Sequence, residues 1–119
     1  MNPLNKKTLD VILELAEGEN SVLLELLQSF LKDAKELSEE INNAVHNLDW
    51  EKLQFNVHTL KGLSGTIGAN PLFEVCKVLH NDLKSGNIAT AVSLANSVSI
   101  KYEELVEYIK SNYQVEYEA

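Results

Sequence analysis

His58, Lys61 and Gly62 put a nucleophile, a cation and bare backbone within five residues of chain. A neutral imidazole can attack an electrophilic phosphorus. A lysine ammonium three residues on is a point charge suited to a phosphoryl group. The surrounding run, His58-Thr59-Leu60-Lys61-Gly62-Leu63-Ser64-Gly65-Thr66-Ile67-Gly68-Ala69, holds three glycines inside an otherwise helical pattern. An interior helical glycine costs about 1 kcal/mol relative to alanine. Gly68 is excused if it ends the helix in a left-handed cap. Gly62 and Gly65 have no such excuse, and a local rule broken without visible gain marks a functional site.

Plotted at helical spacing, Trp50, Leu53, Val57, Leu60, Ser64 and Ile67 fall on one face, the core stripe. His58 points away from it. Its neighbours one turn either way are Gln54, Phe55, Lys61 and Gly62, with Gly65 two turns on, since i, i+3 and i+4 adjoin on a helix surface. The glycines leave room for a second protein to approach, and Phe55 beside the histidine is read as an interface anchor.

The spacing of His58, Lys61, Gly62, Ser64 and Gly68 resembles the signature of histidine-containing phosphotransfer (HPt) domains. Leu72, Val75, Cys76, Leu79, Lys84 and Gly86 look like that family's next helix. The motif covers the central third of the chain. The resemblance fits the fold that helix pattern and length predict, all-α, an antiparallel four-helix bundle with a short additional N-terminal helix, occupying 1–119 as one domain. It implies that His58 accepts a phosphoryl group from a receiver-domain phosphoaspartate and passes it to another receiver aspartate. Lys61 would offset phosphoryl charge, and the receiver would supply the metal and most of the catalytic groups. The implied partners are response-regulator receiver domains, of a hybrid sensor kinase and of a downstream regulator. At His80 the family often places Gln or Glu near the reactive histidine, and the histidine here is a departure.

Composition narrows the alternatives. A chain of 119 residues can bury a core without staples. It has 24% charged residues, net charge −8 and no arginine, which argues against nucleic acid as a partner. The segment from Lys52 to Asn87 is nevertheless net +2, against −10 for the remainder, a mildly basic island around the motif. One cysteine, Cys76, cannot form an internal disulfide, which fits a reducing compartment. No apolar run approaches the ~18 residues that span a bilayer, and no signal peptide is apparent. The expected compartment is the cytoplasm and the expected state a monomer. No phosphate-binding loop and no acidic Mg²⁺ cluster is present, so no cofactor and no autonomous kinase activity is expected. A metal site from His46, His58 and His80 is not expected either, because they lack ligand spacing.

The positioning elements follow from caps and periodicity. Asn5 caps a short helix from Lys6 to about Glu17, with Leu9, Ile12, Leu13 and Ala16 on one face and Gly18 beyond. Glu19-Asn20-Ser21 opens a long helix to about Asn47. Its seam is Leu23, Leu27, Phe30, Ala34, Leu37, Ile41, Ala44 or Val45, and Leu48. Leu24, Leu26 and Leu31 widen its apolar start, and the short first helix is expected to cover them. Asp49 caps the motif helix, which runs to about Ile67. Asn70-Pro71 reads as a cap and first turn. That helix runs to about Lys84 and Gly86, burying Leu72, Val75, Cys76, Leu79 and Leu83. Asn87 is expected to start the last helix, with Ile88, Ala91 or Val92, Ala95, Val98, Tyr102, Leu105 and Ile109 inward and a frayed tail from about Asn112. Short connections make successive helices antiparallel neighbours.

The remaining conspicuous residues have simpler readings. His46 suits a helix C-terminus, Cys76 is a small buried hydrophobe, and Ser64 can bond back into its own helix. Tyr102, Tyr108, Tyr113 and Tyr117 are packing or tail residues. His80 stands open between supporting the site and being a surface histidine. Two rival functions remain. One is a helical interaction module that has lost phosphotransfer, against which intact His58 and Lys61 argue. The other is the phosphate-accepting domain of a larger sensor kinase, against which the early Met1 and the lack of a linker argue.

Overall fold

In a computed structural model the described residues are 2–115, which leaves Tyr117 outside them. Among these residues the chain forms five helices and no strand: α1 (Lys6–Leu15), α2 (Asn20–His46), α3 (Trp50–Ile67), α4 (Asn70–Lys84) and α5 (Ala91–Asn112). Helices α2 to α5 pack in a ring, α2 on α3, α3 on α4, α4 on α5, and α5 back on α2. The connection between α3 and α4 is only two residues long, which forces antiparallel packing. Pairs across the helices agree. Glu40 late in α2 meets Lys52 early in α3 at 2.8 Å, and Phe73 early in α4 lies against Gly65 late in α3. The 27 residues of α2 set the long dimension of the bundle, 45 Å.

The core is the inner stripe of each helix. Leu27, Leu31, Ile41, Leu53, Val57, Leu60, Leu79, Val98 and Ile109 are all fully buried. Fully burying an aliphatic side chain is worth about 1.5–3 kcal/mol, so this stripe fixes the rotation of each helix about its axis. At the fork in the α2 seam, Ala44 is buried and Val45 only half-buried. Likewise Ala91 is buried while Val92 is exposed. Leu31 is buried and Leu24 half-buried, but Leu26 remains exposed, so the widened apolar start of α2 is only partly covered.

Four helix ends share one solution. Glu17, Leu48, Gly68 and Gly86 all adopt left-handed backbone, with φ of 55°, 57°, 76° and 77°. After α2, the Leu48 amide donates to Val45 O and the Asp49 amide to Ala44 O. After α3, the Ala69 amide donates to Ser64 O, and after α4 the Asn87 amide donates to Asp82 O. These bonds satisfy carbonyls that the helix end would otherwise orphan. Leu48 is therefore not a seam residue, as its spacing suggested. It lies past the end of α2 with its side chain largely exposed.

Helix starts differ in detail from expectation. Asn5 and Asp49 cap as read, their Oδ1 atoms accepting from the amides of Thr8 and Lys52 at 3.1 Å each. The start of α2 has Glu19 in the cap position with no side-chain bond. Asn70 is not a cap: Ala69 holds that position, and Asn70 is already helical, because the chain leaving Gly68 turns directly into α4. α5 begins at Ala91, four residues later than expected, and Ile88 is exposed. Asn87 caps a local turn instead, accepting from the Ala89 amide at 3.2 Å.

α1 is tied to the α3–α4 turn. The Asn5 amide donates to Gly68 O at 2.8 Å. A Cβ on Gly68 would stand 2.7 Å from Thr8 Cβ. Leu4 and Leu9 are buried in the same region.

Candidate functional site

The rotation of α3 decides what faces solvent. Leu53, Val57, Leu60, Ser64 and Ile67 are all buried, so the opposite face carries His58, Phe55 and Gly62 outward, all exposed. Ser64 satisfies its buried hydroxyl within α3, donating to Leu60 O at 2.7 Å. Asn56 is also buried, one turn from both Leu53 and Leu60, with its amide nitrogen unpartnered within the protein. The core spacing of α3 carried that signal, although the polar residue type hid it. Phe55 is 70% exposed, directly beside His58 on the helix surface.

α4 supplies the other wall. His80 is not a surface residue: only 8% of it is exposed. Its ring lies against that of His58, with centroids 4.9 Å apart and planes tilted by 37°. The Lys61 ammonium reaches across from α3 to His80 Nδ1 at 3.3 Å. An ammonium only donates, so Nδ1 must accept, and the proton of neutral His80 sits on Nε2. Burial lowers the His80 pKa below its ordinary 6.5, and the positive charge of Lys61, then His58 and Lys84, pushes in the same direction. His80 is thereby held in the form that can accept from Lys61.

Together Glu51, Gln54, Phe55, His58, His80 and Lys84 line an open groove between the two helices. Gln54 and Phe55 belong to this wall as well as to the His58 face. Neither Glu51 nor Lys84 stands out in the sequence as a site residue. They reach the groove because α3 begins where α4 ends. On the other flank of α3, Asp33, Glu36, Leu37 and Glu40 of α2 form a second groove with Thr59 and Leu63. His58 thus stands on a ridge with positive charge on the α4 side and negative charge on the α2 side.

The glycines divide into three. A Cβ on Gly62 would meet nothing within 4 Å. One on Gly65 would stand 3.2 Å from the Phe73 ring, so this glycine accommodates the chain's own α4. Gly68 serves the turn. The basic island is also uneven. Lys52 is paired with Glu40, and Lys77 lies 3.8 Å from Glu74. Beside His58 stand Lys61, one turn on along α3, and Lys84 across the groove.

Cys76 is fully buried one turn before His80, and burial pushes its thiol pKa up to about 12. His46 is exposed at the end of α2, on neither of the helices that carry His58 and His80. Among the described residues no three His, Cys, Asp or Glu side chains gather as metal ligands. None of the helices is long and apolar enough to cross a membrane.

Comparison with known proteins gives two results. The model of the Hpt domain matches residues 25–111, which spans the end of α2's first turns through most of α5. The fold is similar to the crystal structure of histidine-containing phosphotransfer protein B (HptB) from Pseudomonas aeruginosa PAO1. The TM-score is 0.78 at 24% identity, over 92% of this chain and 93% of that one. No curated protein matches the sequence.

Proposed function

The chain belongs to the Hpt domain family, and from that premise we propose that it is a phosphorelay intermediate whose phosphoryl acceptor is His58. Its partners are receiver domains of response-regulator type, one as donor and another as acceptor. The observation that carries the reading is the exposed imidazole of His58, beside the open backbone of Gly62 and the ammonium of Lys61.

In the first transfer a lone pair on a His58 ring nitrogen attacks the phosphorus of a receiver phosphoaspartate. The N–P bond forms as the acyl-phosphate P–O bond breaks, and the aspartate leaves as a carboxylate. In the second transfer a carboxylate oxygen of another receiver attacks the same phosphorus, and the N–P bond breaks. Lys61 offsets charge on the phosphoryl oxygens. Gly62 admits the edge of the receiver's site, and Phe55 and Gln54 offer contact area next to it. The chain's share of the chemistry is a positioned nucleophile and one cation, so it acts as a carrier and takes nothing from ATP directly. The single buried cysteine is compatible with a reducing, cytoplasmic setting.

The test is incubation with a panel of phosphorylated receiver domains. Label should enter this chain in an acid-labile, alkali-stable form, as a phosphoramidate does. His58→Gln should abolish it with helix content unchanged, and ATP alone should give none. Label at the wild-type level in His58→Gln would remove His58 from the role.

A further inference from the structure

His80 touches both parts of the proposed machinery. Its ring packs on the His58 ring at 4.9 Å, and its Nδ1 holds the Lys61 ammonium at 3.3 Å. It is itself fixed by burial on α4 between the core residues Cys76 and Leu83. Lysine, by contrast, has a long flexible stem that loses much rotamer freedom when ordered. Without an anchor, Lys61 would sample solvent. With it, the ammonium is kept on the α4 side of His58.

We infer that His80 is a positioning residue for transfer at His58. Its unprotonated Nδ1 anchors Lys61 beside the reactive ring, so transfer depends on His80 being neutral and is lost where His80 protonates. The inference rests on the reading of His58 as phosphoryl acceptor. Protonation of His80 removes the acceptor lone pair. It also places a second positive charge against Lys61, in a partly desolvated position where like charges repel strongly. The ammonium must then leave.

The charged and titratable groups around His80 agree with this. From α3 it faces Lys61 and His58, and along α4 it faces Lys84, with Cys76 one turn before it. All three cationic or protonatable neighbours oppose its protonation. Among the described residues lining the shared groove the one carboxylate is Glu51, at the N-terminal end of α3. The anchor is therefore set for release by protons and holds near neutral pH.

A glutamine can replace the acceptor without titrating, and a leucine can fill the volume without accepting. The experiment compares wild type, His80→Gln and His80→Leu. It reads receiver-to-protein transfer rates between pH 8 and pH 5, together with imidazole nitrogen NMR of the free proteins. At pH 8 wild type and His80→Gln should transfer at similar rates, and His80→Leu more slowly by about 10- to 100-fold, the scale of a misplaced group. As pH falls, the ratio of the wild-type rate to the His80→Gln rate should drop by up to about tenfold per pH unit below the point where His80 protonates. The ratio removes whatever pH dependence the two proteins share, that of the receiver included. NMR should show neutral His80 with its proton on Nε2, and Lys61→Ala should make His80 easier to protonate.

A ratio that stays flat across the pH at which NMR shows His80 taking up its proton would overturn the inference. So would His80→Gln as slow as His80→Leu at pH 8, or a proton found on Nδ1. If no receiver labels the wild type at any pH, the phosphorelay reading fails, and the anchor then stands or falls on the NMR result alone.

Discussion

The Phe73 ring of α4 lies against the bare backbone of Gly65 on α3, 3.2 Å from where a Cβ would stand. Gly62, one turn earlier on the same helix, faces open space. Two glycines of one motif thus have different physical reasons. One lets α4 pack closely, and the other leaves the surface bare.

This contrast predicts opposite responses to alanine. Gly62→Ala should stabilise the fold by up to about 1 kcal/mol, the ordinary helix-propensity gain. Gly65→Ala should gain less or lose stability, because Phe73 must give way by a few tenths of an ångström. Urea unfolding of the two variants checks this. Equal gains would mean that Phe73 does not rest on Gly65 in solution.

Gly62 should matter to a partner more than to the fold. Gly62→Gln should keep helix content and melting temperature, since a Cβ there meets nothing within 4 Å. Its side chain would stand one turn from His58, in the path of an approaching receiver. A misplacement of ~1 Å can cost ~100-fold in rate, so receiver-dependent labelling should slow on that scale. Labelling by phosphoramidate, which needs no docking, should persist. Wild-type transfer from the receiver would exclude this face as the docking surface.

The left-handed helix ends predict a second pair of opposites. Gly68 has φ 76°, and a Cβ there would also collide with Thr8. Gly68→Ala should therefore cost about 1–3 kcal/mol, the usual scale of such strain. Leu48 has φ 57° with its side chain largely in water. Leu48→Gly should relieve about 1 kcal/mol of the same strain. Thermal melts that moved in the same direction for both would contradict the turn geometry.

His80 should leave a signature in stability as well as in transfer. Its pKa is lowered in the fold from the ordinary 6.5, first by burial and then by its cationic neighbours. Between the two values the unfolded chain binds more protons than the folded one. The contribution is therefore intact above about 6.5 and is lost as pH falls from there through the folded value. Urea midpoints at pH 8 and pH 5 should show wild type losing more stability than His80→Gln. Identical losses would place His80 in water.

How much of this was legible in the sequence depends on the range of the interaction. The helices themselves were readable, because caps such as Asn5 and Asp49, and apolar spacing such as Leu53, Val57 and Leu60, act within about one turn of chain. The outward direction of His58 was legible for the same reason: a helix whose core stripe is known has a known opposite face. The motif spacing carried the family. Local pattern was less decisive at the ends. Leu48 kept the seam rhythm yet fell beyond the helix, because the hydrogen bonds closing α2 require a left-handed residue there. Asn87 looked like a helix cap but caps a turn, and α5 starts later.

What only the tertiary structure decided is the register between α3 and α4. That register seats Phe73 on Gly65, buries His80, and brings its Nδ1 to Lys61 across 19 residues of sequence. Periodicity assigns each helix a buried stripe, but residues at the edge of that stripe, His80 among them, are buried or exposed according to how the neighbouring helix is rotated and shifted. Packing of the α3 and α4 side chains sets those two quantities together, and no property of either helix alone determines them.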